Sequence, residues 1–287
     1  MSDIAIYQIT HSDLVARKKD ADFRVFDCRH DPAPDKREMH HMHAFYKSGG
    51  HEKSQLSGLV SPLFSQKTQI SGRQFISFIE ANPGFDVYFI NPYPQMAYLA
   101  FNVWEQGEFF HPGLCDLTNK ALRAANNPLD VRTVTRNSAH TLLYCNYWVG
   151  SARFWNEYMK FVGPMMQAIE AMGAEEQSRF FSKPNSTTRS PYYPYIFERT
   201  FSTFLLQRPD IKSLAYPFPR AEIARYCRNE YEAQLVGDLA DTIDAWDKER
   251  RYDEGRRGFF LPLLKAVELH QRITRRKIKW PRLFGKN

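Results

Sequence analysis

Residues 86–90, Asp-Val-Tyr-Phe-Ile, are apolar almost throughout and stop at Asn91-Pro92-Tyr93-Pro94. A short run that is apolar on both alternating faces reads as a strand buried on both sides, as in α/β proteins. The amino-terminal stretch agrees. Residues 4–9 (Ile-Ala-Ile-Tyr-Gln-Ile) predict a first strand ending at Thr10-His11-Ser12, and Ser12 is placed to cap a short helix to Lys19. Residues 23–27 predict a second strand ending in Asp27-Cys28-Arg29-His30-Asp31. Such a β-α-β opening is typical of α/β folds, whose ligands bind at the carboxyl ends of strands. No glycine-rich loop follows the first strand, so the dinucleotide and P-loop fingerprints are absent.

Residues 142–149 are dense in aliphatic and aromatic side chains and predict a second buried strand. Gly150-Ser151 breaks it, Ser151 caps the next helix, and residues 154–172 carry helical spacing. Alternation along that strand puts Asn146 and Trp148 on one face, an amide and an indole suited to a polar ring such as a sugar. The competing reading is that both are satisfied core residues. Residues 56–60 predict a further strand, where Gly58 permits close approach of a ligand or another backbone. Helices are expected over 38–46, 72–81, 95–105, 114–125 and 196–206.

Acids in three places are candidates for proton transfer. Glu105 and Glu108 flank Gly107 and precede His111-Pro112-Gly113, a grouping that suits acid/base chemistry or a plain polar loop. Glu198, followed by Arg199, lies beside the apolar stripe Phe197, Phe201, Phe204 and Leu205, as a base, a hydroxyl ligand or half of an ion pair. His40, His41 and His43 do not share one helix face, and no carboxylate has metal-site spacing.

Charge is unevenly placed. Residues 256–287 hold ten Lys/Arg and one acid, Glu268, while the other 255 residues hold 29 basic and 31 acidic. A nucleic-acid-binding domain more often spreads positive charge over its folded surface, so a nucleic-acid partner is disfavoured. The apolar stripe Phe259, Phe260, Leu263, Leu264 and Val267, then Arg272, Arg275, Arg276, Lys277 and Lys279, with Trp280 and Phe284, suits an anionic membrane surface. A helix docked on the protein with a solvated basic end is the alternative. No signal peptide or membrane-spanning run is visible, and the four cysteines form no CxxC pair, so a cytoplasmic protein, peripheral at the inner face of a membrane, is expected.

Five segments together carry a family resemblance. They are Tyr7-Gln8-Ile9-Thr10-His11-Ser12, Asp86-Val87-Tyr88-Phe89-Ile90-Asn91-Pro92, Asn102-Val103-Trp104-Glu105-Gln106-Gly107-Glu108 with His111-Pro112-Gly113, Cys145-Asn146-Tyr147-Trp148-Val149-Gly150 with Phe154-Trp155, and Phe197-Glu198-Arg199-Thr200-Phe201-Ser202. The set resembles glycosyltransferase-like proteins encoded among bacterial surface-polysaccharide (O-antigen or capsule) genes, over about residues 3–210. The resemblance implies a single nucleotide-sugar-binding, GT-A-like α/β domain, here residues 1–217, with a mostly helical extension over 218–287.

It also implies transfer of a sugar from a nucleotide donor to a surface-polysaccharide or lipid-linked acceptor. Thr10, His11, Asp27 and Asn91 would hold the donor, and Asn146, Trp148, His111 and Arg199 the sugar or acceptor. Glu198, before Glu105 or Glu108, would act as base on the acceptor hydroxyl or stabilise the developing oxocarbenium charge. Many such enzymes hold Mg or Mn through an Asp-x-Asp pair, which is absent at Asn91-Pro92-Tyr93, so cation dependence stays open. The rival reading is a non-catalytic glycan- or nucleotide-sugar-binding protein on the same scaffold.

Overall fold

A computed structural model describes residues 3–17, 19–31, 33–185 and 190–277. The chain divides into two compact units, residues 1–93 with 102–217, and residues 94–101 with 218–287. In the first unit, β1 (Ile4–Thr10), β2 (Arg24–Asp27), β3 (Leu56–Val60), β4 (Val87–Phe89), β5 (Trp148–Gly150) and β6 (Ser213–Ala215) form one sheet among the described residues. Its order is β2-β1-β3-β5-β4-β6. β1 pairs in parallel with β2 and β3, and β4 with β6, whereas β5 runs antiparallel to both β3 and β4. Five strands therefore end on one edge, and β5 begins there.

The helices, in chain order, are α1 (Asp13–Arg17), α2 (Arg37–Lys47), α3 (Phe64–Thr68), α4 (Gly72–Ala81), α5 (Met96–Leu99), α6 (Val103–Phe110), α7 (Leu114–Ala124), α8 (Ala152–Glu170) and α9 (Ala174–Phe180). They continue with α10 (Tyr192–Gln207), α11 (Arg220–Ile223), α12 (Glu230–Glu249) and α13 (Glu254–Lys277). The chain is thus α/β with a helical carboxyl-terminal part.

Local chemistry explains several boundaries. Ser71 opens α4 with a reciprocal capping box to Gln74, and Ser151 accepts from the Phe154 amide to open α8. The helix predicted over 95–105 is instead two, because the Asn102 side chain accepts from the Trp104 and Glu105 amides and starts a new helix. That break is also where the chain returns to the first unit. The helix expected over 196–206 begins earlier: the aromatic residues 192–195 form the first turn of α10, with Pro191 at its cap.

The strand predicted over 142–149 is corrected most. Only residues 148–150 pair in the sheet, and Cys145 and Asn146 adopt left-handed backbone with φ of 67° and 54°. Upstream, the Leu143 amide donates to the Ser202 hydroxyl of α10 at 2.8 Å, so the apolar run is buried as a loop stitched to a helix.

The core lies where β5 meets α8 and α10. The Trp148 ring is fully enclosed, 4.4 Å from Trp155 and 5.0 Å from Phe154, with Tyr158 and Phe201 beyond. Trp155 donates its indole N–H to the Ser57 carbonyl, and Tyr158 shares a 2.8 Å hydrogen bond with Thr200. Gly58 makes room for a backbone. A Cβ there would fall on the Trp148 carbonyl oxygen and 2.9 Å from Val149 Cγ2. Gly58→Ala is expected to cost about 2–3 kcal/mol by forcing β3 and β5 apart. A lower urea midpoint at unchanged m-value would show it, and an unchanged midpoint would mean the strands can yield.

In the second unit, α5, α12 and α13 pack on one another. Phe260, Leu264 and Val267 of α13 are buried there, and Phe259 lies 5.6 Å from Trp246. Much of the stripe expected to meet a membrane is thus internal to this unit. The apolar residues that α13 leaves exposed are Leu261, Leu269 and Ile273, beside exposed Lys265 and Arg272. Lys279, Trp280 and Phe284 lie outside the described residues. No helix among the described residues is long and apolar enough to cross a membrane.

Candidate functional site

Helix α10 turns Phe197, Phe201 and Phe204 into the core. Glu198, one step around, is only partly exposed, and its carboxyl makes no hydrogen bond or ion pair among the described residues. Burial pushes its pKa up to about 7; the charge of Glu38 on α2 adds to the rise, while Arg199 and Lys67 oppose it. A carboxyl that solvent reaches but that has lost most of its hydration is recessed. With a pKa near neutrality, such a group is suited to take up and release a proton.

The groups facing Glu198 come from the edge where β3 and β4 end and β5 begins. Lys67 of α3 places its Nζ 3.2 Å from Cys145 Sγ. Burial works against the ammonium, but the charge interactions around it outweigh burial and hold its pKa above the ordinary lysine value; of the neighbours, Glu198 is the one that ionises near neutrality. Burial, reinforced by Glu198, pushes the Cys145 thiol up to about 12, so it is neutral at physiological pH. Tyr147 shares a 2.8 Å hydrogen bond with Ser61, just past β3. Tyr93, just past β4, keeps 38% of its surface exposed and meets Tyr144 edge-on at 6.1 Å. The Tyr144 hydroxyl and Asn146 Oδ1 are buried without partners among the described residues. Buried polar atoms are nearly always satisfied, so orphans beside a recess mark where a ligand or water belongs.

The structure brings Glu198 and Asn146 to this region and assigns other tasks to most of the predicted site residues. Asn91 spends its amide on Tyr93, donating to the Tyr93 carbonyl and accepting from the Tyr93 N–H, both at 3.1 Å. It holds Tyr93 in place rather than meeting a diphosphate itself. Trp148 has no free ring face, so it is core and not a sugar wall. Arg199 is buried and committed: it donates to the Val103 carbonyl at 2.9 Å, the Tyr195 carbonyl at 2.8 Å and Gln106 Oε1 at 2.7 Å. Gly107 exists to let it pass, since a Cβ there would strike Arg199 Nε.

Glu108 accepts from the amides of Gly113 and Cys115 at 2.7 and 2.9 Å, so it caps α7. Neither Glu105 nor Glu108 is among the charges that act on Glu198. His111 stacks on Tyr195 at 3.8 Å, and burial with Arg199 lowers its pKa to about 3, which makes it a neutral ring rather than an acid. At the β1 and β2 ends, Thr10 is buried and bonded to the Gln8 carbonyl, His11 is exposed, and Asp27 is paired with Arg29. That pairing lowers the Asp27 pKa to about 2.

Lys67, Tyr93 and Glu38 carry no distinguishing sequence motif, except that Tyr93 lies between two prolines in a turn that fixes it. Cys145 lies in an apolar run with no motif of its own, and the residue whose sulfur meets Lys67 sits in a left-handed turn.

His40 and His41 both face Asp31, at 3.5 and 3.4 Å. No group of three His, Cys, Asp or Glu among the described residues could hold a metal ion. Asn91 spends its amide on the backbone, and Lys67 brings an ammonium to the region of Glu198. Comparison with family models, with curated proteins and with solved structures found no match.

Proposed function

We propose that the chain is a glycosyltransferase of the GT-A-like kind, moving a sugar from a nucleotide donor to a surface-polysaccharide or lipid-linked acceptor. The observation that carries this reading is the recessed, unpartnered Glu198 at the carboxyl edge of a mostly parallel sheet. The antiparallel β5 lodged inside that sheet is in keeping with it. Glu198 takes the proton of the acceptor hydroxyl as that oxygen bonds to the anomeric carbon. The bond from that carbon to the diphosphate breaks, and its electron pair leaves with the nucleoside diphosphate. Exposed Leu261, Leu269 and Ile273 beside Lys265 and Arg272 support an acceptor at an anionic membrane surface.

The test is calorimetry against a panel of nucleotide sugars, paired with a hydrolysis and transfer assay. One donor is expected to bind and turn over. Binding with neither hydrolysis nor transfer would make the chain a binding protein, and binding of none would end this reading.

A further inference from the structure

We propose that Lys67 binds the anionic part of the ligand in the Glu198 recess, the diphosphate of a nucleotide, and that this site takes it without a divalent cation. The inference rests on the reading above and adds what holds the phosphates.

An ammonium has three N–H donors, and among the described residues Lys67 has one hydrogen-bond partner, the Cys145 sulfur at 3.2 Å. A thiol is a weak acceptor and carries no charge to balance the lysine. No carboxylate lies within ion-pair distance of Lys67 among the described residues, because Glu198 acts on it only at longer range. Lys67 is half-buried, and an ammonium drawn in from solvent without a paired anion loses hydration, so one left with open donors beside a recess is placed to receive an anion.

Three further features fit the same ligand. The Tyr144 hydroxyl and Asn146 Oδ1, on either side of Cys145 in the chain, are buried and without partners among the described residues; the hydroxyl can donate to a phosphoryl oxygen, and the amide oxygen can accept from an N–H or O–H elsewhere on the nucleotide. Tyr93 is partly exposed and fixed by Asn91, which gives a ring surface next to the charge. Cys145 and Asn146 adopt a left-handed conformation that is unfavourable for non-glycine residues, and this turn presents the sulfur to the lysine. An ammonium fixed here repels Mg2+ or Mn2+ and attracts phosphoryl oxygens, doing electrostatically what the missing Asp-x-Asp pair does through a metal.

The test measures binding of uridine, guanosine and thymidine diphosphates to the whole protein, once in EDTA and once in excess Mg2+. At least one is expected to bind in EDTA, with an affinity changed less than about threefold by Mg2+. Lys67→Met and Lys67→Gln, each checked for a native circular dichroism spectrum, are expected to bind it at least about tenfold more weakly. Binding that appears only with Mg2+, or folded variants that bind as the wild type does, overturns this inference and leaves the enzyme reading standing. A wild-type protein that binds none of the three in either buffer overturns both.

Discussion

Glu198→Gln is expected to make the protein more stable at pH 8 and at the same time to remove its turnover. The stability half rests on proton linkage. The carboxyl titrates near 7 in the folded chain against 4.5 for the free side chain, mainly because it is buried. Below pH 4.5 both states hold the proton and the residue contributes nothing. Between 4.5 and 7 the unfolded chain releases its proton while the folded chain keeps it, so stability falls as pH rises. Above 7 both are ionised and the full penalty remains, on the order of 3–4 kcal/mol before any relief from the solvent that reaches the group. Glutamine carries no charge and escapes the penalty. Urea titrations from pH 4 to 8 should show the wild type losing stability across this window and the variant losing less.

The activity half uses the same proton. General-base catalysis contributes about 10²–10⁴-fold, so nucleotide-sugar turnover should drop by at least about a hundredfold in the variant. Wild-type turnover should rise with pH through about 7 as the base ionises. A variant that keeps its rate, whatever its stability, removes Glu198 from the mechanism. A variant that loses rate and also loses stability points to a structural carboxyl instead.

Arg199→Met is expected to be the most damaging single change to stability, at about 3–5 kcal/mol. The guanidinium is 2% exposed and its donors end on two backbone carbonyls and an amide oxygen. Methionine restores some of the volume and none of the donors. The Val103 and Tyr195 carbonyls and Gln106 Oε1 would lose those donors. Lysine cannot rescue it, because one ammonium does not reach three acceptors set around a planar fork. Thermal unfolding should fall by roughly 10 °C, on a scale of about 2–4 °C per kcal/mol for a unit of this size. A loss under about 1 kcal/mol would mean that water replaces the guanidinium, which its burial argues against.

The contrast between Glu198 and Arg199 shows what a sequence can and cannot carry. The strands over 4–10, 24–27, 56–60 and 87–89 were legible because burial on a sheet writes itself as runs of apolar and β-branched residues. Ser151 and Gly58 were legible for equally local reasons. Residues 142–147 were not, since a buried loop has a buried strand's composition. What decides between them is Ser202, far along the chain. Glu198 and Arg199 are neighbours with opposite fates, one unpartnered in a recess and one sealed against α6, and no spacing rule separates them. Lys67 was invisible because its role depends on Cys145, reached through a left-handed turn. Asn91 was placed correctly at its strand end, but its amide had already been claimed by the backbone two residues on.

The central antiparallel strand also sets an order of assembly. Among the described residues β3 and β4 are joined only through β5, which is made some sixty residues after β4. Until residues 148–150 arrive, the hairpin-free trio β2-β1-β3 presents the edge of β3 to solvent. That edge carries Leu56, Leu59 and Val60, all buried in the finished sheet. An apolar strand edge held open during synthesis is a template for pairing with another chain. Closure through so distant a segment also makes folding slow, because the loop entropy is spent before the contact repays it. The same short strand that joins the two halves of the sheet therefore makes the nascent chain, more than the finished one, the form most exposed to aggregation.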